Sequence, residues 1–531
     1  MTQEAVKFWR FATSLRRFLS STLTPAECRR IVEEDSRNRE SNFLRLLDKA
    51  VYNHPASPYL RLLRWAGVEY GDVARLVAQD GVDAALGRLL EAGVYVGLDE
   101  FKGRSPIQRP GLRIDVRPGD MDNPLLARDF ETETSGSSGP RLRAAVDLDL
   151  LVHDAASKYL GLQANGIDRR PLAVWRPVPP GSSGLKNALI SAKCGRPLER
   201  WFTPYATSWK PSDLPFAALT EYTVGYGRLR GGVIPEPRYV PLGEPLPVAR
   251  WLAEKTAGGL PGILCGAAGM AVRVCRAARE QGLDISGAMF RVGGEPLTEA
   301  KAEAIAQAGA SWVSAWAMAE TGPLGVACGS REARDEVHVI RGKVALLQHP
   351  KILSDGLSRI EALFLTTLLT KTPKIMLNVD TGDYGVLTQR RCGCLLGEIG
   401  WDTHLHTIRN HEKLTAGGMH FLGGEILTLV EEVLPSRHGG NAADYQLEEE
   451  EEGASTRVRI VVAPGVGAVE EGSVERTVLE FLGSSNAGGR MMARYWREGG
   501  VLKVVRREPY HTPTGKTPPL RVTRRDEHAP S

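Results

Sequence analysis

The chain has 531 residues, of which 42% are hydrophobic and 24% charged, with a formal net charge of +4 at pH 7. This length exceeds what one hydrophobic core usually serves, so we expect two or three domains. So small a net charge gives no reason to expect nucleic acid as a partner, and the apolar runs fall short of the ~20 residues that a membrane span needs. Seven cysteines do not indicate a disulfide framework, which favours a cytoplasmic protein.

Residues 1–100 are predicted to be a helical region at the start of the large domain. Thr24 to Glu27 is a helix start, with a capping hydroxyl, a proline at the first helical position and a carboxylate three residues after the cap. The preceding KFWRFATSLRRFL mixes basic and aromatic residues, which fits a helix packed on the protein body or one lying on a membrane surface. We expect the packed helix.

Residues 101–408 alternate short apolar runs with longer helical patterns, which is typical of a large layered α/β domain. Trp251 to Leu297 is predicted as helix, strand, helix and strand. Residues 409–521 show shorter strands around the helical GSVERTVLEFLGSS, which predicts a small mobile α+β domain. Within it, Glu448 to Glu452 is predicted to be a solvated loop, because like charges repel. We expect a disordered tail over residues 522–531.

The glycine-rich TSGSSG at Thr134 to Gly139 is compatible with a flexible linker or a phosphate-binding loop. Its glycines allow backbone N–H groups to approach an anion, its hydroxyls donate hydrogen bonds, and Arg141 offsets charge. The segment lies between a predicted strand and a predicted helix, which favours the phosphate loop. It is not a Walker loop, and TGKT at Thr514 to Thr517 is not one either, because Tyr510 stands where the first glycine is required.

Five further motifs follow in order, namely FRVGGEPL (290–297), WAMAETG (316–322), VDTGDYG (379–385), IRNHEKLTAGGMHFLGGEI (408–426) and PTGK (513–516). With the glycine-rich loop they resemble the motif series of the adenylate-forming acyl/aryl-CoA ligase superfamily, most closely the phenylacetate-CoA ligase and coenzyme F390 synthetase group. The resemblance extends from about Asn53 to Lys516. It implies ATP- and Mg²⁺-dependent activation of a small carboxylic acid, aryl or acyl, to an acyl-adenylate. Transfer to a thiol should follow, with coenzyme A as the expected acceptor.

The resemblance also implies a role for each site residue. The phosphates of ATP would be held by Thr134, Ser135, Gly136, Ser137, Ser138, Gly139 and Arg141. The adenine pocket would be bordered by Gly293, Gly294 and Glu295. Asp383 would accept the ribose hydroxyls and Glu320 would help to hold Mg²⁺. Arg409 would lie near the ribose and phosphate, and Lys516 would reach the reacting carboxylate and the α-phosphate from the small domain.

The chain departs from the pattern of this group at two places. Gly139 runs directly into Pro140 and Arg141, where the group has a spacer residue and often a lysine. Within WAMAETG (316–322), Ala319 replaces the threonine that precedes the acidic residue. Two alternatives therefore stay open, namely transfer of the acyl group to a carrier or acceptor protein, and a catalytically weak homologue that acts as a binding subunit. Candidates for the wall of the acid pocket are Tyr222, Tyr226, Cys265, Ala267 and Trp316.

A second constellation consists of Cys328, His338, Cys392 and Cys394. Four such ligands match a closed tetrahedral zinc site, and four protein ligands leave no open position for catalysis. Spacing alone also allows His338 to be an ordinary strand histidine. Proteins of the resembling group often have such a set of cysteines and histidine, so we expect structural Zn²⁺.

Overall fold

The computed structural model describes residues 3–126, 130–133, 143–181, 183–207, 213–297, 299–352, 359–410, 413–414, 421–422, 426, 428–440, 444–452, 455–485, 487–510 and 520–523. Its α-helices are α1 Gln3–Phe18, α2 Pro25–Arg37, α3 Arg39–Leu47, α4 Pro58–Trp65, α5 Tyr70–Glu91, α6 Leu98–Phe101, α7 Leu148–Ala164, α8 Ser183–Lys193, α9 Leu214–Leu229, α10 Leu246–Ala257, α11 Ala268–Glu280, α12 Glu299–Ala306, α13 Leu395–Glu398, α14 Leu434–His438, α15 Glu471–Ser485 and α16 Ala487–Gly499. Short π-helical turns lie at Asp48–Tyr52 and Thr428–Val433, and 3-10 turns at Pro118–Met121 and Pro464–Val466.

The strands are β1 Ile107–Arg109, β2 Leu112–Ile114, β3 Phe130–Glu133, β4 Arg143–Val146, β5 Leu172–Trp175, β6 Arg200–Thr203, β7 Pro237–Tyr239, β8 Ile263–Gly266, β9 Met289–Val292, β10 Ser311–Met318, β11 Gly322–Val326, β12 Val337–Val339, β13 Val344–Ile352, β14 Arg359–Thr367, β15 Val379–Gln389, β16 Thr403–Asn410, β17 Lys413–Leu414, β18 Phe421–Leu422, β19 Tyr445–Glu452, β20 Ser455–Val462, β21 Leu502–Arg506 and β22 Leu520–Thr523. The predicted order of helix, strand, helix and strand over Trp251 to Leu297 is confirmed by α10, β8, α11 and β9.

The predicted start of α2 is confirmed at the level of its hydrogen bonds. The Glu27 N–H donates to Thr24 Oγ1 at 3.2 Å, and the Thr24 N–H donates to the Glu27 carboxylate at 2.7 Å. These bonds satisfy N–H groups that have no partner inside the helix. The preceding α1 buries Phe11 and Leu15, which are 1% and 0% exposed, so it packs on the protein body as expected.

A twelve-stranded sheet organises most of the chain, in the order β13-β14-β15-β16-β12-β11-β10-β9-β8-β5-β6-β7. The strands from β7 to β10 are parallel to one another, and the strands from β10 to β13 are antiparallel. We call these the parallel half and the antiparallel half; they meet at β10. The carboxyl ends of parallel strands are where open α/β sheets bind ligands, which directs attention to the ends of β5, β8 and β9.

Both faces of the parallel half are buried. Along β8, Cys265 joins a cluster of buried residues that includes α7 and α8, while its neighbour Leu264 joins a second cluster with α10 and α11. Because successive side chains of a strand point to opposite faces, the two clusters lie on opposite sides of the sheet. The second cluster continues into the C-terminal residues Ile460 and Trp496.

The C-terminal residues form a four-stranded sheet in the order β21-β20-β19-β22, together with α15 and α16. Several contacts fix this sheet and α16 on the preceding part of the chain. Arg273 Nη2 donates to Gly499 O at 2.8 Å, Lys301 Nζ donates to Thr456 Oγ1 at 2.7 Å, and Arg490 pairs with Asp213 at 3.0 Å. The C-terminal region therefore lies against the face of the large sheet that α10 and α11 cover.

The prediction of a solvated loop at Glu448 to Glu452 is wrong. These glutamates belong to β19, an inner strand of the C-terminal sheet, and Glu448 is only 2% exposed. Arginines on neighbouring segments supply the opposite charge, since Arg507 pairs with Glu448 and Arg459 pairs with Glu450. Repulsion between like charges therefore does not prevent burial here, because Glu448 and Glu450 each pair with an arginine.

The predicted tail begins two residues too early. β22 runs to Thr523 and pairs in parallel with β19, with Leu520 opposite Leu447. Val522 and Thr523 therefore belong to the sheet, whereas residues 524–531 lie outside the described part of the chain. Among the described helices, none combines the length and hydrophobicity that crossing a bilayer requires.

Candidate active site and metal centre

Part of the predicted site lies outside the described residues. This applies to the predicted phosphate loop and to the predicted catalytic lysine, that is to Thr134, Ser135, Gly136, Ser137, Ser138, Gly139, Arg141 and Lys516. The other predicted nucleotide residues gather around β10. Gly293 packs against Ala315 of β10, Asp383 contacts Trp316 of β10, and Glu320 lies in the turn after β10.

Asp383 is held by a donor on each of its carboxylate oxygens. Asn410 Nδ2 donates to Oδ1 at 2.7 Å and Trp316 Nε1 donates to Oδ2 at 3.2 Å. Asp383 on β15 lies directly opposite Asn410 on β16, so the antiparallel register itself brings the amide to the carboxylate. A carboxylate offers about four acceptor sites on its two oxygens. Asp383 can therefore accept further hydrogen bonds in a fixed orientation.

Trp316, a candidate for the wall of the acid pocket, also contacts the predicted ribose acceptor. It is 6% exposed, and its indole N–H, which can only donate, points at Asp383. Sequence reasoning missed this contact and the one from Asn410. Both depend on the pairing of strands that are far apart in the chain, and the motif order alone gives no register.

Arg409 contacts a carboxylate that sequence reasoning also missed. Its Nη1 lies 3.2 Å from Asp335 Oδ2. Asp335 also accepts the N–H of Thr407 at 2.9 Å and of Ile408 at 3.1 Å. Thr407 has φ = 53°, a left-handed conformation that is unusual for a threonine. Asp335 thus fixes both the backbone just before Arg409 and the guanidinium itself.

Glu320, the predicted magnesium ligand, is buried and paired with a lysine. It is 5% exposed and forms an ion pair with Lys102, which follows α6. A second buried pair, Asp154 with Lys343, lies in the same region, because Asp154, Lys343 and Glu320 all act electrostatically on Lys186. Burial lowers the pKa of Lys186 to about 8, against the attraction of Asp154. The surroundings of Glu320 are therefore dense in both signs of charge.

The predicted adenine-pocket residues divide into backbone and side chain. The Gly293 N–H donates to Gly266 O at 3.2 Å, and a Cβ on Gly293 would lie 2.4 Å from Ala315 O, so only glycine fits there. Gly294 has φ = 93° and continues this turn. The side chain of Glu295 is 1% exposed. It accepts the Gly269 N–H at 3.0 Å at the start of α11 and lies 3.4 Å from Lys301 Nζ, so its carboxylate is engaged inside the protein.

Cys328, His338, Cys392 and Cys394, here called the Cys/His cluster, come together as the sequence predicted. Their ligand atoms all lie within 4.8 Å of one another. His338 Nε2 is 3.5 Å from Cys392 Sγ and 3.4 Å from Cys394 Sγ. Its Nδ1–H donates to Trp401 O at 2.5 Å, which leaves Nε2 free to act as a ligand. A hydrogen bond from Cys328 lowers the pKa of Cys394, which favours a thiolate.

The surroundings of the Cys/His cluster are polar and buried. The ring of His404 lies 4.1 Å from that of His338, centroid to centroid, and its Nδ1 is 2.6 Å from Glu336 Oε1. Glu336 also pairs with Arg390. The four cluster residues come from the segment just after β11, from β12 and from the segment between β15 and α13, so the cluster joins parts of the antiparallel half that are distant in sequence.

The remaining candidates for the acid pocket lie in two places. Cys265 and Ala267 are buried at the carboxyl end of β8 and the start of α11. Tyr222 stacks on Tyr226 with centroids 6.4 Å apart and also contacts Phe8 of α1. The two tyrosines therefore belong at least in part to the packing of α9 against α1.

The chain matches no protein-family model and no curated protein. Among solved structures, it is similar to 2-hydroxyisobutyryl-CoA ligase in complex with 2-HIB-AMP and CoA, with a TM-score of 0.53 and 15% identity over 93% of this chain and 90% of that chain. This protein has the fold of adenylate-forming ligases. The predicted mixed α/β fold class is thereby confirmed. The amide bond synthetase McbA from Marinactinospora thermotolerans aligns over 92% of this chain and 97% of that chain, with a TM-score of 0.42 and 12% identity.

Proposed function

We propose that this protein activates a carboxylic acid with ATP and Mg²⁺ to an acyl-adenylate, releases pyrophosphate, and transfers the acyl group to the thiol of coenzyme A. The observation that carries the proposal is the oriented carboxylate of Asp383, at the position that the motif order assigns to ribose binding. Its support is the likeness in fold to a ligase whose structure holds 2-HIB-AMP and CoA.

The geometry of Asp383 suits a ribose diol. Each carboxylate oxygen is oriented by one donor, Asn410 or Trp316, and keeps room to accept one hydroxyl. Hydrogen bonds to a charged acceptor contribute about 1.5–3 kcal/mol each. On this proposal Asp383 fixes the nucleoside, and Arg409, oriented by Asp335, borders the ribose and the α-phosphate.

The chemistry requires cations, because a carboxylate must approach a polyphosphate. From the resemblance we assign the phosphates to Thr134, Ser135, Gly136, Ser137, Ser138, Gly139 and Arg141, and the reacting carboxylate to Lys516. Mg²⁺ bound with ATP would offset phosphate charge. Glu320 fits it as an oxygen donor, provided that Lys102 gives up its place on that carboxylate.

The Cys/His cluster fits Zn²⁺ in its donor set and its compactness. With four protein ligands, the Zn²⁺ would be structural and would hold together the segment after β11, β12 and the loop before α13. Such a cluster also supports the finer assignment to the phenylacetate-CoA ligase group, and hence an aryl or acyl substrate.

Two other functions are compatible with the same site. Transfer to a carrier or acceptor protein uses the same adenylate and differs only in the thiol. A catalytically weak binding subunit is favoured by Ala319 and by the Lys102–Glu320 pair, which occupies an expected metal ligand.

Acid-dependent exchange between ATP and pyrophosphate, measured with a broad panel of acids, tests the proposal. We expect exchange with at least one acid, and its loss in Lys516→Ala while ATP still binds. Lys371→Ala is the matched control, because Lys371 is a surface lysine that pairs with Asp149. Absence of both exchange and ATP binding would exclude an enzyme of this kind, and an unchanged rate in Lys516→Ala would remove the assignment of that lysine. Adding coenzyme A or a phosphopantetheinyl protein then identifies the acceptor.

A further inference from the structure

Lys158 on α7 is a buried lysine to which the described residues offer no carboxylate within ion-pair distance. It is 5% exposed, and its Nζ donates to Ser191 Oγ at 2.6 Å and lies 3.4 Å from Asn187 Oδ1, both on α8. In the part of the chain that the structure describes, the titratable groups that affect the charge of Lys158 are Arg291 and the thiols of Cys265 and Cys194. Burial, and then the nearby Arg291, lower the pKa of Lys158. A buried ammonium without an anion is costly to maintain.

Other buried lysines of this protein are compensated. Lys343 pairs with Asp154 and Lys374 pairs with Asp122. Lys193 forms no ion pair with a described carboxylate, but it donates to two carbonyls and one hydroxyl at the end of α1 and just after it, at 2.9, 2.9 and 3.3 Å. Lys158 differs from Lys343 and Lys374 because its acceptors among the described residues are a hydroxyl and an amide oxygen, which carry no compensating charge.

Arg291 is a second cation beside Lys158. On β9 it lies opposite Cys265 of β8, so its side chain leaves the sheet on the face that α7 and α8 cover. Arg291 is partly exposed, and the described residues offer its guanidinium neither a hydrogen bond nor an ion pair. Lys158 and Arg291 thus place two cations on one side of the sheet, next to Cys265.

These two cations lie at the end of the sheet where ligands bind. Cys265 is one residue before the end of β8, and Arg291 is one residue before the end of β9. Beyond them, Arg176 Nη2 donates to Gly266 O at 2.8 Å and to Gly293 O at 2.9 Å, which fixes the two strand ends together. Arg291 therefore projects from these strand ends toward the face that α7 and α8 cover, and Lys158 lies between those two helices.

We propose that the acid which this protein activates is a dicarboxylic acid, and that Lys158 and Arg291 bind its second carboxylate. The proposal rests on the proposed adenylation reaction. An apolar acid would leave both cations without an anion, whereas a second carboxylate would accept charge-assisted hydrogen bonds from both. A neutral polar group would supply acceptors but no compensating charge.

The test compares acids of one length and shape in the pyrophosphate exchange assay, namely hexanoate, the monoamide of adipate, and adipate. An aromatic series uses phenylacetate, 4-carbamoylphenylacetate and 4-carboxyphenylacetate. We expect kcat/KM for the dicarboxylate to exceed that for the monocarboxylate and that for the amide by 10-fold or more in at least one series. Arg291→Met and Lys158→Met should each reduce this preference by 10-fold or more. Lys255→Met, which removes a lysine paired with Glu199, should preserve it.

The possible failures are distinguishable. A preference for the monocarboxylate or the amide in both series, or a preference that survives both substitutions, overturns this proposal while leaving adenylation intact. Absence of exchange with every acid overturns this inference, and together with absence of ATP binding it overturns the proposed function itself. Because the wild-type comparison needs no variant, a Lys158→Met protein that does not fold leaves the test valid. Arg291 is partly exposed, so its variant provides the second measurement.

Discussion

The two halves of the large sheet build the candidate site in different ways. In the parallel half, close approach of the backbone shapes the strand ends, since Gly293 packs where no Cβ fits and Arg176 donates to the carbonyls of Gly266 and Gly293. In the antiparallel half, pairs of facing side chains form the site, because Asn410 and Trp316 orient Asp383 and the Cys/His cluster gathers four ligands. The parallel half thus depends on close backbone approach at Gly293, and the antiparallel half depends on the chemistry of side chains that the strand register brings together.

Strand geometry explains this division. Directly opposite residues of antiparallel strands have Cβ atoms about 4.5–5.5 Å apart, so short side chains such as Asp383 and Asn410 meet without a loop. Parallel strands end together at one edge, where their last residues and the following turns face the ligand. Substitutions in the two halves should therefore fail for different reasons, and the following changes test that.

The largest effect is expected in the antiparallel half, at the Cys/His cluster. Cys394→Ser should lose bound zinc and lower the free energy of unfolding by about 4 kcal/mol or more, because loss of a structural metal is among the most damaging single changes. Metal analysis of chelator-washed protein and denaturant unfolding measure the two effects.

Cys275→Ser is the matched control for this change. Cys275 is a buried thiol of α11, beside the parallel half, and burial raises its pKa to about 12, as expected for a cysteine that binds no metal. The Cys275→Ser protein should keep its zinc, and its free energy of unfolding should fall much less than that of Cys394→Ser. Less than a tenth of an equivalent of zinc in the wild type would reject the metal site, and full retention of zinc in Cys394→Ser would remove Cys394 from it.

In the parallel half, Gly293→Ala tests the dependence on backbone approach. The new Cβ would lie 2.4 Å from Ala315 O, so β9 and β10 must separate, at a cost of about 1–3 kcal/mol in the free energy of unfolding. Gly225→Ala in α9 is the control, since a Cβ there meets no atom within 4 Å. It should be neutral or stabilise the helix. Equal unfolding midpoints for the two variants would contradict the close approach.

Much of the fold was predictable because its signals are local. The capping box at Thr24 and Glu27, and the alternation of helix and strand around β8, use residues within one or two elements. The Cys/His cluster was predictable only through the family resemblance, because spacing alone also allows His338 to be an ordinary strand histidine.

The rest depends on contacts between distant parts of the chain. Asp335 reaches Arg409 over 74 positions, and Lys102 reaches Glu320 over 218 positions. The glutamates of β19 were misjudged for the same reason, since a run of like charge is visible locally while the pairing of Arg507 with Glu448 is not. Motif order therefore predicts which residues belong to the site, but it does not predict the neighbouring groups that orient those residues.

The smallest of these effects lies where the two halves meet, at Trp316. Trp316→Phe keeps a buried aromatic ring but removes the N–H that orients Asp383, so the Kd of ATP should rise about 5- to 10-fold, or about 1 kcal/mol. An analogue without ribose hydroxyls, 2′,3′-dideoxy-ATP, should bind wild type and variant almost equally. Trp312→Phe, on the same strand, is the control, because its indole N–H donates to Arg334 O at 3.0 Å and does not contact Asp383. If Trp316 acted through packing alone, the affinities for ATP and for the dideoxy analogue would fall together, and the assignment of Asp383 to the ribose would lose its support.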